Sequence, residues 1–174
     1  MTAAMPTALV NGMDRADFAA RFGAVYEHSP WVAEGAWEAR PFADRAALEQ
    51  AMRDVVLGAG RDRQLALLRA HPRLGTRLEL SGHSRAEQSG AGIASASEAD
   101  RETLARLNRA YEEKFGFPFI LAVRNASVPT ILDSCRTRID HDAPSEFEES
   151  LRQVFRIAHF RLSDLVHQED PTYR

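Results

Sequence analysis

Cysteine is almost absent from this 174-residue chain: Cys135 stands alone. A single thiol excludes an internal disulfide and fits a reducing compartment. Metal-ligand spacings are missing too, because neither CxxC nor HExxH occurs. No apolar run approaches the length that spans a bilayer. The opening MTAAMPTALVNG has neither a basic start nor a long apolar stretch, so it does not read as a secretory signal. An excess of one charge sign is also lacking: 22 Lys and Arg stand against 25 Asp and Glu, a formal net charge of -3. That balance offers no polycationic surface for nucleic acid or anionic lipid. The G-x-S-x-G elbow, the P-loop and the Rossmann glycine fingerprint do not occur, which leaves a serine hydrolase or nucleotide-binding reading without support.

What is there is an ordinary globular composition, 44% hydrophobic and 27% charged. The length suits one domain over 1–174, with frayed ends expected near 1–12 and 168–174. Helical spacing recurs along the chain. Asp14 begins a pattern carrying Phe18, Phe22, Val25 and Tyr26 on one face, interrupted at Ser29-Pro30. Asp44 opens another with Leu48, Met52, Val55 and Val56, closed by Gly58 and Gly60. A helix near 62–70 carries Leu65 and Leu68 and delivers His71 to its C-terminal edge, where Pro72 opposes continuation. Between Gly75 and Gly92 the pattern loosens into an expected site loop. Ser97 caps a helix with Leu104, Leu107, Tyr111 and Phe115, and Ser127 or Pro129 opens one with Ile131, Leu132 and Cys135 inward. Ser145-x-x-Glu148 reads as a capping box before a long last helix. The segment 117–123 is apolar enough to be buried, and its periodicity does not decide between extended chain and helix. The expectation is an all-α, compact single-domain fold of roughly eight helices, short ones included.

Few residues stand out for chemistry, and each has a structural alternative. His71 has the right unperturbed pKa for acid–base work near neutrality, or it closes a helix C-terminus. Glu87 follows Ser84 at capping-box spacing. Gln88 lacks such an excuse, and its amide suits a urea-like group. Gly90, Ala91 and Gly92 permit close approach to backbone N–H groups. Arg161 shares a stripe with Val154, Ala158 and Leu165, so it needs either an internal carboxylate or an anionic ligand. Arg124 is a second anion candidate, whereas Arg138 reads as solvated. Trp31, Trp37, Tyr111 and Phe115 read as core.

Five collinear blocks carry a resemblance: FAARFGAVYEHSPWVAEGAWEARPF at 18–42, AHPRLG at 70–75, SRAEQSGAG at 84–92, FGFPFILAVRN at 115–125 and RIAHFRL at 156–162. Together they resemble the 2-oxo-4-hydroxy-4-carboxy-5-ureidoimidazoline (OHCU) decarboxylases of urate breakdown. The resemblance implies an all-helical, cytoplasmic homodimer that converts a ureidoimidazoline to (S)-allantoin without cofactor or metal. It implies that His71 and Glu87 are catalytic. Substrate would be held by Pro72, by Ser84 to Gln88 (with Arg85 and Ala86 inside that block), by Phe119, Ile120, Leu121, Ala122 and Val123, and by Arg161. The link from His71 to Ser84 is shorter than in many animal members. The competing expectations are a non-catalytic helical adaptor and a hydrolase of a related ureide.

Overall fold

The computed structural model describes residues 4–75 and 82–167. Among them are nine α-helices and two short 3-10 turns, and no strand beyond an isolated bridge between Met5 and Val166. The all-α expectation holds. Contacts divide the chain into two units, one of residues 1–67 with 158–174, the other of 68–157.

The first unit contains α1 (Thr7–Asn11), α2 (Arg15–Phe22), α3 (Trp31–Ala36), α4 (Arg45–Gly58) and most of α5 (Arg61–Ala70). Asp14 and Asp44 are the N-caps of α2 and α4, each accepting from the backbone three residues on. Helix α2 ends at Phe22, so Val25 and Tyr26 are buried from the turns that follow rather than from its face. Phe18, Phe22, Leu48, Met52 and Val56 form the core, as their spacing predicts. On α5 the buried pair is Leu67 and Leu68, while Leu65 is only half-buried. Helix α3 packs closely on α4 at Gly35, where a Cβ would lie 2.9 Å from Val55 Cγ1. Within 1–12, Val10 is fully buried, and Met5 N–H donates to Leu165 C=O at 3.0 Å. The other expected frayed end, 168–174, lies outside the described residues.

The second unit contains α6 (Gly82–Gly90), α7 (Glu98–Phe115), α8 (Val128–Arg138) and α9 (Ala143–Leu165) as far as Ile157. Ser97 and Ser127 cap α7 and α8. The start of α9 differs from the sequence reading. Asp142, not Ser145, is the capping acceptor, taking both the backbone N–H of Ser145 at 3.0 Å and its hydroxyl at 2.7 Å. An aspartate one turn earlier wins because a carboxylate accepts more strongly than a hydroxyl. The bonds from Ser145 hold the Asp142 carboxyl below its ordinary value. The cap therefore contributes fully above the usual aspartate range and is lost as pH falls through the depressed value. Asp142→Asn, which keeps an acceptor, should lose less thermal stability between neutral and acid pH than wild type does. Parallel melts at the two pH values check this.

The core of this unit is aromatic. Tyr111 lies 4.6 Å from Phe115 and 5.3 Å from Phe119 between ring centres, and Phe117 meets Phe147 edge to face at 6.0 Å. Cys135 is a buried thiol, as expected, and burial pushes it up to about 11, so it is no ready nucleophile.

Candidate functional site

His71 sits where the sequence puts it, one residue past α5, with its N–H donating to Leu68 C=O at 3.2 Å. It is a buried polar residue, 7% exposed, and Pro72 behind it is half-buried. The chain from 69 to 75 is anchored at four points. Arg69 Nε donates to Gly116 C=O at 2.9 Å, and Arg73 pairs with Glu112. Asn108 Nδ2 donates to Leu74 C=O at 2.8 Å, and Gly75 N–H donates to Gln88 Oε1 at 3.0 Å. Gly75 has φ +82, the left-handed region that favours glycine, and a Cβ there would approach Leu104 Cδ2 to 3.0 Å. His71 is thereby carried on a braced segment.

The described part of the expected site loop is mostly helix. Residues 82–90 form α6, and 76–81 lie outside the described residues. Ser84 is inside the first turn of α6, so the Ser84–Glu87 capping box does not form as an N-terminal cap. The helical period instead sets Ser84, Glu87, Gln88 and Ala91 on one side, at spacings of three and four. Ser84 and Gln88 are buried and Glu87 is half-buried, while Arg85 and Ala86 are exposed on the opposite face. Gln88 spends its carbonyl oxygen on Gly75, and its NH2 has no partner among the described residues. The amide is therefore oriented with donors outward, half of the two-way role the sequence suggested. The Gly90–Gly92 backbone is not open to a ligand as expected. Ala91 N–H and Gly92 N–H close the helix onto Glu87 and Ser89, and Gly92 takes φ +71.

Residues 118–123 form no helix, turn or bend, so the ambiguous segment is not the start of a helix. Phe119, Ile120, Ala122 and Val123 are buried, and Leu121 is half-buried. Arg138 holds this stretch and corrects the solvated reading of that residue. It is 5% exposed, donates from Nη1 to Ile120 C=O at 2.6 Å, and forms a buried pair with Glu146. Its guanidinium carbon lies 4.7 Å from the centre of the Phe119 ring. Tyr111 OH donates to the same carboxylate, and burial together with that bond raises the phenol well above its ordinary value. Gln153 Oε1 accepts from Ala122 N–H at 3.0 Å. The sequence held a signal for Arg138: it lies seven residues after Ile131 and three after Cys135, on the stripe logic that singled out Arg161.

In the first unit Arg161 is 1% exposed and pairs with Glu27 at 3.0 Å, with Nη1 also donating to Val25 C=O at 3.2 Å. The internal-carboxylate alternative is thus realised. Glu27 has no sequence signal of its own, because it falls in turns outside any helical period. Trp31 and Trp37 are half-buried platforms for Arg63 and Arg40 rather than core.

Among the described residues no cluster of three or more His, Cys, Asp or Glu could hold a metal. A cleft of about 150 Å³ in the second unit is lined by Leu74, Gly75, Leu104, Asn108 and three arginines, Arg73, Arg101 and Arg109. It includes none of His71, Ser84, Glu87 or Gln88, so its chemistry is not that of the candidate site.

Known proteins match this arrangement along nearly its whole length. A decarboxylase of 2-oxo-4-hydroxy-4-carboxy-5-ureidoimidazoline from Haloferax volcanii is 44% identical over 160 residues, covering 92% of this chain and 95% of the relative. One from Halalkalicoccus jeotgali is 44% identical over 163 residues, covering 94% and 93%. A solved (S)-allantoin synthase superposes with a TM-score of 0.74 at 33% identity over 92% of this chain, which spans 54% of that longer chain. The model of the OHCU decarboxylases matches residues 11–163, from the end of α1 almost to the end of α9, and with it the chain belongs to the OHCU decarboxylase family.

Proposed function

We infer that this protein decarboxylates 2-oxo-4-hydroxy-4-carboxy-5-ureidoimidazoline and releases (S)-allantoin. The observation that carries this reading is the family match over residues 11–163, reinforced by relatives of near-equal length with that activity in their names. A compact ureide also suits the polar groups of the second unit, where His71, Ser84 and Gln88 are buried.

The chemistry follows from the substrate. The carbon–carboxylate bond breaks, CO2 leaves, and the electron pair forms a double bond to the neighbouring ring carbon. The C=N π pair of that carbon moves to nitrogen, which takes a proton. The resulting enol loses its hydroxyl proton as the ureido-bearing carbon gains one, which gives the carbonyl and sets the stereocentre. The substrate supplies its own electron sink, a part that a cofactor plays in other decarboxylations. The protein holds the carboxylate out of the ring plane and delivers the proton to one face. His71 is the acid–base group, oriented by Glu87. The NH2 of Gln88 and backbone groups of 119–123 hold ring and ureido oxygens and nitrogens. The chain acts as a homodimer in the cytoplasm.

Rapid mixing with freshly generated substrate, followed by chiral analysis of the allantoin, tests the reading. Enantiomerically pure S product at an accelerated rate is expected. Racemic product at the spontaneous rate refutes it. Glu87→Gln refines the test. Glutamine keeps the length of the side chain and its capacity to accept a hydrogen bond, so the substitution should leave the melting temperature nearly unchanged. Turnover should fall about 100-fold or more, as when an orienting carboxylate is lost. Parallel losses of stability and activity would return Glu87 to a structural role.

A further inference from the structure

Two backbone groups of the buried segment 119–123 are held by side chains of α8 and α9. Ile120 and Ala122 flank Leu121. The Ile120 C=O is taken by Arg138 Nη1 at 2.6 Å and the Ala122 N–H by Gln153 Oε1 at 3.0 Å. Both holding groups are themselves fixed. Arg138 is locked into Glu146 and Ser150, and Gln153 Nε2 donates to Glu149 Oε1 at 2.7 Å. That donation also determines which end of the Gln153 amide faces Ala122. Neither the N–H nor the C=O of Leu121, between these two, has a partner among the described residues. Backbone polar groups in so apolar a stretch are costly to leave unmatched.

We propose that Gln153, with Arg138, is a positioning residue: together they fix 119–123 on either side of Leu121, so that the N–H and C=O of Leu121 are presented to the ureido group of the substrate. A ureido group offers a donor and an acceptor side by side, complementary to that pair. The proposal rests on the functional reading above. It adds that Ala122 N–H is committed to the scaffold and does not contact substrate.

The test compares wild type, Gln153→Met and the exchange Glu149→Gln/Gln153→Glu. Methionine removes the acceptor at similar length. The exchange restores an acceptor toward Ala122 and a donor between the two side chains without changing net charge. In Gln153→Met the Ala122 amide should exchange faster, and KM for OHCU should rise about tenfold with kcat within about twofold, the pattern of lost uniform binding. The exchange variant should return both toward wild type. Unchanged KM and unchanged Ala122 exchange in Gln153→Met overturn the proposal, as does an exchange variant that recovers amide protection without recovering KM. If wild type itself gives only racemic allantoin at the spontaneous rate, the functional reading fails. The clamp is then judged on Ala122 exchange alone, faster in Gln153→Met supporting it and unchanged refuting it.

Discussion

His71→Ala should lower stereospecific turnover by about 10²–10⁴-fold, the usual worth of a positioned acid or base, while the helical circular dichroism of the chain stays intact. The segment that carries the imidazole is braced without it. Gly75 N–H bonds to Gln88, Leu74 C=O to Asn108, and Arg69 and Arg73 to Gly116 and Glu112. Replacing the ring therefore leaves 69–75 in place, and the loss falls on chemistry rather than folding. Because uncatalysed decay gives both hands of allantoin, chirality separates residual catalysis from background. An Ala variant that still makes S product near the wild-type rate would remove His71 from the mechanism.

Arg161→Met should destabilise the protein by about 3–5 kcal/mol, because it breaks a buried ion pair by removing one partner. Glu27 is fully buried against Arg161 at 3.0 Å, so deleting Arg161 takes the guanidinium away from a desolvated carboxylate. The double variant Glu27→Met/Arg161→Met should recover most of that loss, since well-packed apolar replacements of buried pairs are often neutral or better. Denaturant melts of the four proteins in the cycle measure this. A single variant as stable as wild type would contradict the pairing. The double variant also separates folding from binding. Arg161 in a ligand-holding role predicts that allantoin raises the melting temperature of wild type and not of the recovered double variant. An equal rise in both assigns Arg161 to the ion pair alone.

Helix faces were legible in the sequence because burial repeats with the helical period. Phe18 and Phe22, Leu48 with Met52 and Val56, and Leu104 with Leu107 and Tyr111 are inward as their spacing demands. Caps at Asp14, Asp44, Ser97 and Ser127 were legible because a cap is a contact across three residues. The cap of α9 was misplaced by one turn because two acceptors, Asp142 and Ser145, competed within reach of one helix start. His71 was placed correctly, since a proline after a helical run leaves little freedom.

The sequence by itself determined the helical class, the family blocks, the position of His71 at a helix end, and the fact that Arg161 on an apolar stripe needs a partner. Only the tertiary structure decided who the partners are: Glu27 for Arg161, Glu146 and Ile120 C=O for Arg138, Gln153 for Ala122 N–H, and Gln88 for Gly75. The reason is physical. Periodicity reports that a position is shielded from water, and desolvation then requires that its charge or backbone group be matched. Which group does the matching depends on how turns and helices remote in sequence are brought together, and no spacing along the chain encodes that.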